Sequence, residues 1–437
     1  MPDLRAFRAL RYDPEAVGDP GQVIAPPYDV IGPELQRTLL ARHPRNSVRL
    51  DLPQSEPGED PDERYRRAAR TVTAWRSDGT LRKDPRPSVY GYEQAYRVPS
   101  TDLERTQRGF FARLRLEPFG PTSGVLPHER TLAGPREDRY RLLRATGINT
   151  SPVVGLYEDP SRSAAAALEE VAQTAPATDV TDEDGVRHRL WVIPDEGEGS
   201  RARALLDAAS VGPVFIADGH HRYETALRYR DERRTASTET DPAFDFLLML
   251  FLEATEPLTV LPTHRVVRGV GDDGVATLLE RLPELFLMSP VDEDVVVARF
   301  EAAGRLAGGE GRFGLITRTG AYALEARRGA FAALPAAGEG GAVRALDVSL
   351  LAATLENLAG IDADAVTRGG LGYTKSAAEA ASLVRECRDG AEAAFLLEPT
   401  PVASILAVAR EGDVMPQKST YFYPKALTGL LLNPHEW

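Results

Sequence analysis

The sequence predicts a mixed protein of the α/β or α+β class, and three observations point there. Short apolar runs of strand length alternate with segments of helical period. Stretches rich in Gly, Pro, Ser and acid separate them, over 53–62, 84–87, 194–200, 235–242, 304–311 and 335–341. No repeat or long low-complexity tract interrupts the alternation. The first helix is announced by Asp60-Pro61-Asp62-Glu63: an N-cap Asp, Pro at the first helical position and Glu at the third. Behind it Tyr65, Ala68, Ala69 and Val72 keep helical spacing, and Gly79 is the stop. Strands are predicted over 88–96, 109–116, 151–157, 188–193, 214–217, 246–252 and 258–267. Helices are predicted over 135–145, 163–175, 201–209 and 219–234. After Gly269 the chain becomes richer in Ala, Leu and Gly, with strands expected over 312–317, 321–326 and 393–397 and helices over 348–358 and 377–384. Three regions follow: an N-terminal α/β region (1–109), a phosphate-binding core (110–268) and a C-terminal α/β region (269–437).

Composition narrows the function classes. A chain of 437 residues has room for two or three domains and is not limited by core size. With 52 basic and 65 acidic side chains the net charge is −13, which opposes general nucleic-acid binding but allows a small basic pocket for an anionic metabolite. The single Cys, Cys387, forms no internal disulfide and no Cys-built zinc site, in keeping with a reducing compartment. The longest apolar run, 246–252, falls short of the roughly 18–20 residues of a membrane span, and residues 1–13 carry charges in place of an apolar signal segment. The expectation is a cytoplasmic protein with neither a membrane nor a nucleic acid as partner. Lysine is scarce: Lys83, Lys375, Lys418 and Lys425 are the four in the chain, so the other basic residues are Arg.

The sharpest chemical signal spans Val214 to Ala226. A short apolar strand runs into Asp218-Gly219, and a helix starts at once with His220-His221-Arg222. The free amides and dipole of a helix start attract anions, and Gly219 permits a tight turn with close approach of a phosphate. His220, His221 and Arg222 add donors. Asp218 stands at the rim, placed to accept a proton from a hydroxyl or to hold Mg²⁺. The plainer alternative makes Asp218 an N-cap and the three basic residues a solvated first turn. Positive charge there opposes the helix dipole, a local cost that a bound anion would offset.

Two further segments carry polar groups suited to the same chemistry. Leu126-Pro127-His128-Glu129-Arg130-Thr131 places Glu129 in a loop between strand and helix, as a general base or as an ordinary surface ion pair. In Met415–Gly429, Lys418 beside Ser419 and Thr420 suits a terminal phosphate or a carboxylate. Tyr421, Phe422 and Tyr423 there read as an aromatic stripe packed in the core. Weaker signals are the rigid turn at Pro26-Pro27-Tyr28-Asp29-Val30, His264-Arg265 at a strand end, with His264 read as structural, and Gly372-Tyr373-Thr374-Lys375-Ser376. The last lacks the Gly before Lys and is no Walker motif. Four of seven His (128, 220, 221 and 264) lie in these segments. A His-rich metal site is therefore conceivable, although no helical His spacing supports one.

The Asp218-Gly219-His220-His221-Arg222 signature, together with Pro26–Val30, His128–Thr131, Ser151–Tyr157, Leu261–Arg265 and Met415–Gly429, resembles the family of domain of unknown function 1015 over nearly the whole chain. The same turn is similar to that of free serine kinases of the ParB/sulfiredoxin superfamily. That resemblance implies a ParB/sulfiredoxin-like core around 110–268, with nucleotide phosphates held at the turn and helix start. It also implies a Glu acting as base on a serine hydroxyl. Glu129 is the first candidate for that Glu and Glu224 the second. The resulting expectation is a phosphotransferase between ATP or ADP and a small hydroxyl metabolite, serine or, in the reverse direction, phosphoserine. Asp218, Glu129 and His221 would be catalytic. Gly219, His220, Arg222, Lys418, Ser419 and Thr420 would bind phosphate, and Mg²⁺ would bridge phosphate oxygens. The alternatives are a nucleotide-gated binding module of ParB type without turnover and a metal-dependent hydrolase. The metal ligands and the oligomeric state are not legible.

Overall fold

The computed structural model describes residues 1–120, 122–129, 133–301, 311–332, 334 and 340–437. Arg130 and Thr131, and most of the loops expected at 304–311 and 335–341, lie outside the described residues. The chain is a mixed α+β protein built on two large sheets. Among the described residues the first has nine strands. In spatial order eight of them are Val125–Leu126, Val214–Asp218, Val153–Tyr157, Phe246–Glu253, Glu104–Arg115, Ser88–Arg97, Arg187–Pro194 and Thr178–Thr181, with Leu4–Arg5 paired beside Glu104–Arg115. Most neighbours are antiparallel. Val214–Asp218 runs parallel to Val125–Leu126, and Phe246–Glu253 parallel to Val153–Tyr157.

The strand Phe246–Glu253, apolar over 246–252, is buried throughout because both sheet faces are covered. Its period of two sends Leu248, Leu250 and Leu252 into one apolar cluster and Leu247, Met249 and Phe251 into the other. Helix His220–Arg234 packs Tyr223, Ala226 and Tyr229 into that second cluster, a one-sided spacing that fixes where its first turn points.

The second sheet is antiparallel, in the order Phe286–Val291, Gly320–Ala326, Arg312–Thr317, Ala391–Leu396, His264–Arg268 and Leu371–Thr374. Glu293–Glu301 and Ala377–Arg385 cover one face, and Gly271–Arg281 and Asp347–Ala359 the other.

Two expectations differ from this architecture. The single strand expected over 258–267 is two strands in two sheets. Thr259–Leu261 pairs with Tyr421–Tyr423, and His264–Arg268 enters the second sheet. Pro262 stands at the break, where it offers no amide to a ladder and restricts the residue before it. The boundary expected at 109/110 falls inside Glu104–Arg115, and the end of the chain returns to the first sheet's side, where Asn433–Pro434 pairs with Ile148–Asn149.

Candidate active site

The strand Val214–Asp218 delivers Asp218 to a sheet end, and Gly219, at φ 92° and ψ 26°, turns the chain directly into helix His220–Arg234. That left-handed conformation favours glycine. A Cβ at this position would also sit only 3.0–3.1 Å from the Arg222 guanidinium. The helix cap is Gly219 and not Asp218. Gly219 has no side chain with which to cap the first turn, and that turn holds no acidic residue. The Asp218 carboxylate is engaged elsewhere: Lys425 Nζ donates to Oδ1 at 2.5 Å and Arg222 Nη2 to Oδ2 at 2.6 Å. Arg222 Nη1 also donates to the Pro152 carbonyl, and its buried Nε has no hydrogen-bond partner among the described residues. Burial alone would raise the Asp218 carboxyl. The ammonium of Lys425 and the guanidinium of Arg222 outweigh it and hold Asp218 well below the usual carboxylate range.

The opposite wall is made by two segments distant in sequence. The Met415 amide donates to the His128 carbonyl at 2.8 Å, and the Lys418 amide donates to Glu129 Oε1 at 3.0 Å. Lys418 adopts φ 56°, a left-handed conformation unusual for a side-chain-bearing residue, and its own ammonium arm is exposed. Burial pushes the Glu129 carboxyl up to about 7, against the lowering effect of Lys418.

His128 ties the walls together. One ring nitrogen, Nδ1, faces the Ile216 carbonyl and therefore carries the proton. Its Nε2 is 3.1 Å from the Thr420 hydroxyl, which donates to it. The His128 amide in turn donates to His220 Nε2 at 3.3 Å, and the two rings meet edge to face with centroids 4.6 Å apart. Burial pushes His128 down to about 4 and His220 well below its ordinary value, so both are neutral at pH 7. His221 is half-buried and is pushed down by burial and by Lys418.

These walls enclose a cleft of about 360 Å³. Asp218, Gly219, His220, His221, Arg222, Glu129, Lys418 and Thr420 all line it, so it gathers eight of the nine expected site residues. Ser419 is outside. It is buried, and its hydroxyl donates to the Pro416 carbonyl at 2.5 Å, because it shapes the turn that carries Lys418. Glu224 is also outside and pairs with Arg136 at 2.8 Å.

The cleft can hold an anion against helix-start amides and lysines, and it sets beside that anion a carboxyl able to take a proton near neutral pH. Residues 4–349 match the model of the family described as "Protein of unknown function (DUF1015)". The chain belongs to that family. No curated protein matches the chain. Among solved structures it is similar to a free serine kinase in complex with AMP, at 13% identity over 75% of this chain and 90% of that one, with a TM-score of 0.37. It is also similar to a conserved hypothetical protein from Pyrococcus furiosus, at 15% identity over 68% and 87%, TM-score 0.33. SbnI from Staphylococcus aureus with a C-terminal truncation follows, at 10% identity over 70% and 83%, TM-score 0.36. Likeness at this level is too loose to carry any residue's role across.

Lys375, Lys418 and Lys425 all lie beyond the matched span, yet three of the chain's four lysines line the cleft. Lys375 and Lys425 were not read as site residues. Their ammoniums sit 4.0 Å and 4.3 Å from the centroid of the Tyr421 ring. The scarcity of lysine was the one signal that could have found them. Tyr421 is thus a cleft residue, and of the expected aromatic stripe only Phe422 is fully buried. Tyr28 and Asp29 from the rigid turn also line the cleft, with the Tyr28 ring 4.0 Å from the buried Arg139 guanidinium. Among the described residues, no three His, Cys, Asp or Glu side chains are grouped to hold a metal ion, and no helix is long and apolar enough to cross a membrane. His128 and His220 are taken up by hydrogen bonds within the protein, which removes them from the conceived His-rich metal site.

Proposed function

We propose that this protein is a nucleotide-dependent phosphotransferase acting on a small hydroxyl-bearing metabolite. One arrangement carries the reading: Glu129, whose carboxyl burial pushes up to about 7, lines the same small cleft as the start of helix His220–Arg234 and three lysines. A general base works best with a pKa near the working pH, and a phosphate needs fixed donors and positive charge. In the transfer, Glu129 takes the proton of the acceptor hydroxyl, whose oxygen bonds to the terminal phosphorus. The phosphorus–oxygen bond to the nucleotide breaks, and the shortened nucleotide leaves with the bond's electron pair. The first-turn amides of helix His220–Arg234 and the Lys418 ammonium would meet the charge on the phosphoryl oxygens. Asp218 is a positioning residue: with both oxygens occupied and its carboxyl held low, it orients Arg222 and Lys425 and takes no proton.

Mg²⁺ would supply charge neutralisation on the phosphates. With Asp218 engaged, Glu129 and Asp29 are the other carboxylates lining the cleft, and two such groups suit an ion carried in on phosphate oxygens better than a resident metal. Serine is the first acceptor to try, supported by the resemblance of the Asp218–Arg222 turn to free serine kinases. A ParB/sulfiredoxin-like arrangement of that strand, turn and helix is part of the same reading.

Phosphorus NMR with Mg²⁺ tests it, with ATP or ADP plus serine and, separately, phosphoserine plus ADP or AMP. New phosphoserine, or nucleotide formed at its expense, is expected. Nucleotide binding with no transfer to any small hydroxyl compound would replace the enzyme with a nucleotide-gated module.

A further inference from the structure

The cleft of about 360 Å³ lies at the small end of the range for ligand sites, which is enough for one compact ligand and short of two substrates. A second cavity of about 740 Å³ adjoins it. Lys375 and Tyr421 line both, so the two compartments share a wall. Their chemistry differs. The cleft is rich in lysine, whereas the neighbouring cavity sets the carboxylates of Asp102, Asp184, Glu301 and Glu379 against Arg97 and the shared Lys375, with the rings of Tyr421 and Tyr423 also in its lining. Carboxylates repel phosphate but accept hydrogen bonds from sugar hydroxyls and ring amines, and flat apolar faces suit a heterocycle. Lys375 stands at the junction, where a chain of phosphates would leave the cationic side.

We infer that this second cavity receives the nucleoside part of a nucleoside di- or triphosphate whose phosphates lie in the cleft. The inference rests on the phosphotransfer reading and deepens it: the acceptor metabolite is left the space beside Glu129, and the nucleotide reaches the cleft from the side of Tyr421. A third cavity, lined by Met1, Phe119, Val211 and Arg410, shares no lining residue with the cleft and is the natural counter-location.

Calorimetry of the full chain with Mg²⁺ compares ADP with inorganic pyrophosphate, which has the phosphates but no nucleoside. ADP is expected to bind at least about tenfold more tightly, the worth of a modest buried contact set. In Asp184→Trp, an exposed position at the second cavity's edge, the ADP preference should disappear while pyrophosphate affinity is unchanged. A folded Asp184→Trp protein that binds ADP as the wild type does overturns the inference. So does equal affinity of the wild type for ADP and pyrophosphate. Photolabelling of the wild type with 8-azido-ADP, mapped by mass spectrometry, does not depend on the variant. Label on residues 97–102 or 421–423 is expected, and label confined to 119–127 or 211–213 overturns it. Binding of neither ADP nor pyrophosphate removes the phosphotransfer reading and this one with it. Binding of pyrophosphate without any preference for ADP removes only this one.

Discussion

The two walls of the cleft hold one short carboxylate each, Asp218 and Glu129, and the protein treats them in opposite ways. On the strand-and-helix wall Asp218 is clamped by Lys425 and Arg222 and held low. On the loop wall Glu129 accepts the backbone amide of Lys418, its one hydrogen-bond donor among the described residues, and is pushed up to about 7 by burial. Among the described residues the difference lies in the number of charged donors each carboxylate meets, and in the proposed phosphotransfer it divides labour: one acid is architecture and the other exchanges a proton.

The largest expected effect tests that division directly. Glu129→Gln should lower the rate of phosphate transfer by about 10²–10⁴-fold, the usual loss of a general base, with nucleotide affinity nearly unchanged. Transfer by the wild type should rise with pH through about 7, as Glu129 ionises. Stability should run the other way. The folded state holds the Glu129 proton more tightly than the unfolded chain, so this group's contribution falls as pH climbs from about 4.5 to about 7. Thermal melts of Glu129→Gln should lack that decline and match or exceed the wild type at pH 8. A variant that melts lower at pH 8 would show Glu129 to be structural.

Asp218→Asn comes next and reads out as stability. Removing one partner from a mostly buried charge cluster costs about 3 kcal/mol, visible in denaturant titration. If Asp218→Asn instead keeps full stability and loses all transfer, the two walls have exchanged roles. A smaller effect is expected from Lys418→Ala, about a tenfold weakening of phosphate affinity that shrinks at high salt, measured by calorimetry at two ionic strengths. The smallest belongs to Lys418→Gly. It relieves a left-handed backbone worth about 1 kcal/mol, so it should lose affinity like the alanine variant while melting slightly higher. Equal melting of the glycine and alanine variants would remove backbone strain from the account of that turn.

The strand-and-helix wall was legible because its chemistry is contiguous: a buried strand, one glycine and a basic first turn fall within nine residues, 214–222. Even there the partner of Asp218 was hidden. Lys425 stands 207 positions away in a segment whose local pattern reads as a core strand. The loop wall was half legible. Glu129 and Lys418 each stood out, but nothing local says that the Lys418 amide closes on Glu129 or that Ser419 turns inward to Pro416. Most helices and strands followed from periodicity, whereas 258–267 did not, since an apolar run does not reveal that its two halves serve different sheets.

The clasp between Asp218 and Lys425 also orders events in time. A nascent chain that has already made the strand, the turn and helix His220–Arg234 still presents Arg222 and Asp218 without their third member. The polar cluster closes only after the ribosome has added some two hundred more residues and Lys425 has emerged. Until then the mouth of this cleft is incomplete, and a chain stalled before residue 425 leaves Asp218 with Arg222 alone, one of its two charged partners missing.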